Sequence, residues 1–234
     1  MNALAGGGSF VTLPALMAIG LPSVSANACS TIALFPGGLV SAWTYRRDLP
    51  QTIAATPIGI IALLTLAGGA MGAGLLLVTP ARLFSGLLPW LLLLACLGLT
   101  LGPRLIRRTP GAPPRHPALL LTLQGILGLY GGYFGGAVGL MMLAVWNLLG
   151  EHDVKRLNAP RTLLVSIANG VAVVLFALSP LASWPEIVSL LAGGLLGGHL
   201  GAKLGRVLPA RLARPLTLAV TYGVTALYFW KTYA

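Results

Sequence analysis

Polar and charged positions fall into short clusters separated by long uncharged apolar runs. The runs are Phe10 to Ile19, Val24 to Tyr45, Gln51 to Val78, Leu83 to Gly102, Pro117 to Gly150, Thr162 to Trp184, Ile187 to Ala202 and Pro215 to Trp230. The charged clusters are Tyr45 to Pro50, Thr79 to Arg82, Pro103 to His116, Glu151 to Arg161 and Arg206 to Arg214. About 20 apolar residues make a helix long enough to cross a hydrocarbon core of about 30 Å, so the pattern predicts membrane helices joined by short polar turns. Gly20-Leu21-Pro22-Ser23 reads as a turn, with Ser23 or Ser25 as the cap of the next helix. Gly68, Gly69, Gly72 and Gly74 form a small-residue face of the kind that lets helix backbones approach closely. Pro36-Gly37-Gly38 and Asn169-Gly170 mark possible interruptions inside two runs.

One run is too long for a single crossing. Pro117 to Gly150 has 34 residues, and a continuous helix of that length would reach about 51 Å. Within it, Gly128-Leu129-Tyr130-Gly131-Gly132-Tyr133-Phe134-Gly135-Gly136-Ala137-Val138-Gly139 holds six glycines. Glycine weakens a helix and tolerates positive φ, so the run is expected to break here. The chain starts with a second such stretch, Ala5-Gly6-Gly7-Gly8-Ser9. Broken helices at membrane depth are tolerated where protein or a watery cavity receives the freed backbone groups.

Composition agrees. The 234 residues are 56% hydrophobic and 8% charged, with a mean hydropathy of +0.88. Soluble domains carry about 25% charged residues. The net charge of +11 lies in the loops, where it orients the chain in the membrane rather than binding nucleic acid. No basic n-region of a signal peptide follows Met1. Cys29 and Cys96 lie inside apolar runs and read as small buried hydrophobes. The apolar runs hold one histidine, His199, and no acid, which argues against an enzyme, a metal centre or a cofactor site.

The chain repeats itself at an offset of about 130. Ala5-Gly6-Gly7-Gly8 matches Gly136-Ala137-Val138-Gly139, Asn27-Ala28 matches Asn158-Ala159, and Thr31 matches Thr162. Further on, Gly68 to Ala73 matches Gly197 to Ala202, and Pro80-Ala81-Arg82-Leu83 matches Pro209-Ala210-Arg211-Leu212. If Pro117 to Gly150 crosses once, the 15 Lys and Arg residues divide 8 to 7 between the two faces. If it folds back at its glycines, they divide 13 to 2, with only Arg82 and Lys231 on the outer face. The second arrangement obeys the positive-inside rule. The expected fold is therefore an all-α polytopic membrane protein of two inverted repeats, each a broken glycine-rich hairpin plus three transmembrane helices. Residues 1–102 are the first repeat, 103–116 a basic cytoplasmic linker and 117–234 the second repeat. The second repeat has an apolar lead-in, Pro117 to Gly128, and the first has no counterpart. A helix of roughly a dozen residues before Met1 is the expectation from this repeat symmetry.

Asn2 to Phe10, Leu13-Pro14, Gly20-Leu21-Pro22 and Ala26-Asn27 resemble the sulfite exporter TauE/SafE family, also called the toluene sulfonate uptake permease family. Gly131 to Gly139, and its spacing to Asn158-Ala159, resemble that family's second signature. The resemblance covers nearly the whole chain. It implies about eight apolar segments in two repeats, and transport of sulfite, thiosulfate or an organosulfonate across the cytoplasmic (inner) membrane.

A broken helix offers free N–H groups and a positive dipole end at the start of its second half, which suits an anion. This makes Gly7, Gly8 and Ser9, and Gly136 and Gly139, candidate substrate contacts. Asn27 and Asn158 offer amide donors or interhelical bonds, and Thr31 and Thr162 offer hydroxyls. Arg161 is the cation nearest an apolar run, and His199 is a candidate proton carrier or a packing residue. The glycines also suit plain close packing. The sequence leaves open a carrier working by alternating access, a channel-like pore and a non-transporting partner subunit. It also leaves a homo-oligomer open.

Overall fold

The computed structural model describes residues 8–107, 117–149, 154–207 and 210–233. Side chains of residues 103–107, 154–155, 195–196, 198–207 and 210–214 are outside the description. The described chain is almost entirely α-helical: α1 Ser9–Ala18, α2 Ser23–Tyr45, α3 Ile58–Val78, α4 Ala81–Arg107, α5 Pro117–Tyr133, α6 Val138–Leu148, α7 Val154–Ala177, α8 Trp184–Val207 and α9 Ala210–Tyr233. A 3-10 turn, Arg46–Asp48, and a small antiparallel ladder of β1 Thr52–Ile53 and β2 Thr56–Pro57 join α2 to α3. Among the described residues, four helices are long and apolar enough to cross a membrane: α2, α3, α4 and α7. The last apolar run forms α9, where Thr217, Thr221, Thr225, Tyr222 and Tyr228 dilute the hydrophobicity.

The helix ends follow local chemistry. Gly20 sits at φ +97, its N–H donates to Met17 O at 3.1 Å, and Leu21 N–H donates to Leu16 O at 3.2 Å. That pair of bonds closes α1 in a Schellman motif, which needs a left-handed residue and finds glycine. Neither Ser23 nor Ser25 caps α2. Pro22 is the cap residue, and Ser23 Oγ instead hydrogen-bonds Ser85 Oγ at 2.8 Å and donates to Ala81 O at 3.3 Å. The Ser23 hydroxyl is thus satisfied across the interface with the first turn of α4 rather than on its own helix. The run from Gln51 is not one helix. Its first residues form the β1–β2 hairpin around Ala54 and Ala55, both at positive φ, and Ile53 is fully buried. The marked interruptions do not break their helices. α2 continues through Pro36 and α7 through Asn169-Gly170, where Gly170 gives room to the ring of Phe35. The cluster ending at Arg161 is also more helical than a loop, because α7 begins at Val154. A polar stretch marks where a helix leaves the lipid, not where it ends.

The most extensive interface joins α3 to α5. A Cβ on Gly68 would lie 2.5 Å from Gly125 O, and one on Gly128 would lie 2.9 Å from Thr65 O. A Cβ on Gly72 would overlap Leu129 O, and one on Gly132 would overlap Gly69 O. Glycines four apart on each helix thus interlock backbone against backbone. Gly69 also faces α7, where a Cβ would lie 3.0 Å from Ala168 Cα. Gly74, expected on the same face, meets nothing within 4 Å. It is out of phase, since positions 68 and 72 are one helical turn apart and 74 points elsewhere.

Several of the remaining interfaces come in matched pairs. α1 packs on α2 as α6 packs on α7, α3 on α7 as α8 on α2, and α4 on α6 as α9 on α1. α2 also packs on α7 and α4 on α9, while the contacts of α5 with α7, α5 with α6 and α2 with α4 stand outside this pairing. Gly193, Gly194 and Gly197 of α8 meet nothing within 4 Å among the described residues, unlike the glycine face of α3.

Gly72→Leu and Gly132→Leu are expected to lower the thermal midpoint of the purified protein in detergent, since overpacking costs at least about 1–3 kcal/mol. Gly74→Ala is expected to leave the midpoint unchanged or raise it slightly, because alanine is the better helix former and the position is open.

Candidate functional site

The long apolar run breaks where its glycines predict. α5 ends at Tyr133, and Phe134 and Gly135 both donate their N–H to Tyr130 O, at 2.9 and 3.1 Å. Gly135 stands at φ +79 and Ala137 at φ 58, so the chain turns left-handed twice before α6 begins at Val138. A side chain at Gly135 is strained by the backbone angle. One at Gly136 would lie 2.6 Å from the Phe134 ring.

The break leaves backbone groups to satisfy. The first N–H groups of a helix have no intrahelical acceptor. Leu140 and Met141 turn theirs to Ala137 O, at 3.0 and 3.2 Å. The N–H groups of Val138 and Gly139 therefore remain at the positive end of α6. On the other arm, Asn27 Nδ2 donates to Tyr133 O at 3.0 Å from a fully buried position. This candidate amide is committed to holding the end of α5, across 106 residues of sequence. Asn169 comes from the opposite side. Its Oδ1 is buried, has no hydrogen-bond partner among the described residues, and lies 3.3 Å from where a Gly135 Cβ would be.

Gly139 and Arg161 come together. The Arg161 Cγ and Cδ lie 3.3 and 3.4 Å from the position of a Gly139 Cβ. The missing side chain lets the arginine stem lie over the first turn of α6, half-buried. Thr162 and Thr31 turn inward on their own helices. Thr162 Oγ1 donates to Ala159 O at 2.9 Å and Asn158 O at 3.1 Å, and Thr31 Oγ1 donates to Asn27 O at 2.9 Å. The Asn158 side chain is half-buried at the start of α7.

The first glycine stretch has a comparable end. Gly8 is buried, and its carbonyl accepts from Val11 N, Thr12 N and Thr12 Oγ1 at 3.0 to 3.1 Å. α1 starts at Ser9, and the N–H groups of Ser9 and Phe10 have no intrahelical acceptor among the described residues. Thr12 Oγ1 and Ser30 Oγ, 2.6 Å apart, tie α1 to α2. Gly7 and the side chain of His199 lie outside the described residues.

The apolar pattern hid one polar chain. Trp146 Nε1 donates to Gln124 Oε1 at 3.1 Å, Gln124 Nε2 donates to Thr65 Oγ1 at 2.9 Å, and Thr65 Oγ1 donates to Ile61 O at 2.7 Å. Trp146, Gln124 and Thr65 are fully buried. The chain ties α6 through α5 to α3 and fixes both arms of the break. An uncharged polar residue in the middle of a long apolar run is the signal that marks Gln124.

Most of the break is buried, and Gly135 within it is half-buried. Asn27, Phe134, Ala137 and Val138 are each at most 2% exposed. Neither Cys29 nor Cys96 forms a disulfide, and both are buried. Cys29 Sγ accepts the Ser183 N–H at 3.3 Å and Cys96 Sγ pairs with Thr225 Oγ1 at 3.2 Å.

Gln124→Ala is expected to destabilise the protein by about 1–3 kcal/mol through the Trp146 Nε1–H left unpaired. Gly135→Ala is expected to destabilise it through backbone strain of about 1–3 kcal/mol. Thermal unfolding of the purified variants measures both.

Known proteins of similar sequence are membrane transporters by their names. A "probable membrane transporter protein" of Haemophilus influenzae is 28% identical over 232 residues, covering 97% of this chain and 88% of the relative. The "probable membrane transporter protein YfcA" of Escherichia coli K12 is 28% identical over 233 residues, covering 97% and 83%. The "probable membrane transporter protein ORF9" of a Sinorhizobium species is 25% identical over 230 residues, covering 96% and 85%. No solved structure matches the chain. The family model described as sulfite exporter TauE/SafE matches residues 1–229, so this chain belongs to the TauE/SafE family and is a membrane transporter, not an enzyme.

Proposed function

We propose that the chain carries a small anion, sulfite, thiosulfate or an organosulfonate, across the cytoplasmic membrane by alternating access. The observation that carries this reading is the break at Phe134–Ala137. It presents the start of α6, flanked by the Arg161 stem and by Asn169, inside an otherwise uncharged apolar body. A helix N-terminus with a nearby guanidinium attracts a compact anion, the dipole end and the one cation acting together. The start of α1 at Gly8-Ser9 is the second helix end of the site, and Gly136, Gly139, Asn27, Asn158, Thr31 and Thr162 surround the two. His199 is the candidate for proton coupling.

The matched interfaces, α1–α2 with α6–α7, α3–α7 with α8–α2, and α4–α6 with α9–α1, support two inverted repeats. The repeats are residues 1–102 and 117–234, joined by the linker 103–116. Rocking of one repeat against the other would open the break to each side in turn.

Proteoliposomes holding the purified chain test this. Radiolabelled sulfite, thiosulfate or a sulfonate is expected to enter with saturable kinetics and to show counterflow. Arg161→Gln is expected to raise KM several-fold with little change in thermal stability. Flux that rises linearly without counterflow would mean a pore and overturn the carrier reading.

A further inference from the structure

We propose that the groove between the start of α4 and the end of α9 binds one anionic phospholipid, with its phosphate on Arg82 and an acyl chain along Leu83, Leu87 and Trp90. The groove has a volume of about 550 Å³, within the roughly 300–1,000 Å³ typical of ligand sites. It opens sideways, and Leu83, Leu87 and Trp90 on its wall are 40–56% exposed. Gly86 forms its floor, and nothing lies within 4 Å of where a Cβ there would be.

The polar groups of the wall are already satisfied, with one exception. Trp90 Nε1 donates to Tyr233 OH at 3.0 Å, and Tyr233 OH donates to Gly86 O at 2.8 Å. Phe229 packs edge-on against Trp90, 5.2 Å between centroids, and holds the ring in place. The exception is Arg82, whose guanidinium has no hydrogen bond or ion pair among the described residues. Lys231, two residues before Tyr233, adds a second cation at the same end. Neither α4 nor α9 contains Asp or Glu.

The geometry fits a lipid better than a soluble anion. Arg82 lies in the first turn of α4, at the start of the apolar span Ala81–Gly102. Trp90 is eight residues further along, about 12 Å deeper, below the headgroup layer. A cation above an apolar, aromatic-walled groove matches a phosphate above an acyl chain.

Native mass spectrometry of the purified protein with dioleoylphosphatidylglycerol or dioleoylphosphatidylcholine tests the assignment. One phosphatidylglycerol is expected to be retained in preference to phosphatidylcholine. Arg82→Gln is expected to weaken phosphatidylglycerol binding about fivefold, and Arg47→Gln to leave it unchanged. Gly86→Phe, which fills the open floor, is expected to weaken both lipids. Equal retention of the two lipids, or undiminished binding by Arg82→Gln, overturns the proposal. So does displacement by glycerol phosphate alone, or a dimer that covers the groove whether or not lipid is added.

Discussion

Backbone contact between α3 and α5 is the constraint on which the rest depends. Lipid tails are as apolar as leucine, so helices in a bilayer gain little from burying apolar side chains against each other. Here the gain comes from closeness. Gly68 and Gly72 on α3 and Gly128 and Gly132 on α5 remove the side chains that would hold the helices apart. With α5 fixed, its end at Tyr133 is fixed, and so is the position where the chain can turn. Asn27 then holds the last carbonyl of α5 from one side, and Gln124 ties the returning arm through Trp146. The irregular backbone is thus gripped on both arms before any substrate arrives.

The same economy governs charge. The break has no acid or lysine at its core, and its cation, Arg161, reaches it from α7 past a glycine. In the anion site proposed above, partial charges at helix ends would do much of the work that full charges do in a soluble site. Dipoles built into the backbone cost less to hold in an apolar surrounding than ionised side chains do. They also release an anion more readily, which a carrier requires as much as binding.

Much of this was legible in the sequence. The apolar runs marked the helices, the excess length of one run marked the break, and glycines four apart marked the close interface. The features missed have physical reasons. Gln124 carries no spacing signal, because a single amide becomes meaningful only when Trp146 and Thr65 arrive from other helices. Ser23 looked like a cap, and tertiary packing offered it Ser85 instead. Helices α4 and α7 run past the edges of their apolar runs, since hydropathy reports lipid contact rather than backbone geometry. The hairpin at Gln51–Pro57 was hidden in an uncharged run because Ala54 and Ala55 hold a turn that Asn-Gly would normally announce.

Burial of the break has an energetic consequence for the carrier proposed above. Asn27, Phe134, Ala137 and Val138 are buried in the conformation described, so in that reading a solute reaches the whole break only after these residues part. The affinity seen from outside is then the intrinsic affinity scaled down by the opened fraction. A substitution far from the break that merely loosens the seal would strengthen apparent binding without adding a single contact. Apparent affinity in such a molecule is set as much by how easily the seal parts as by what lies behind it.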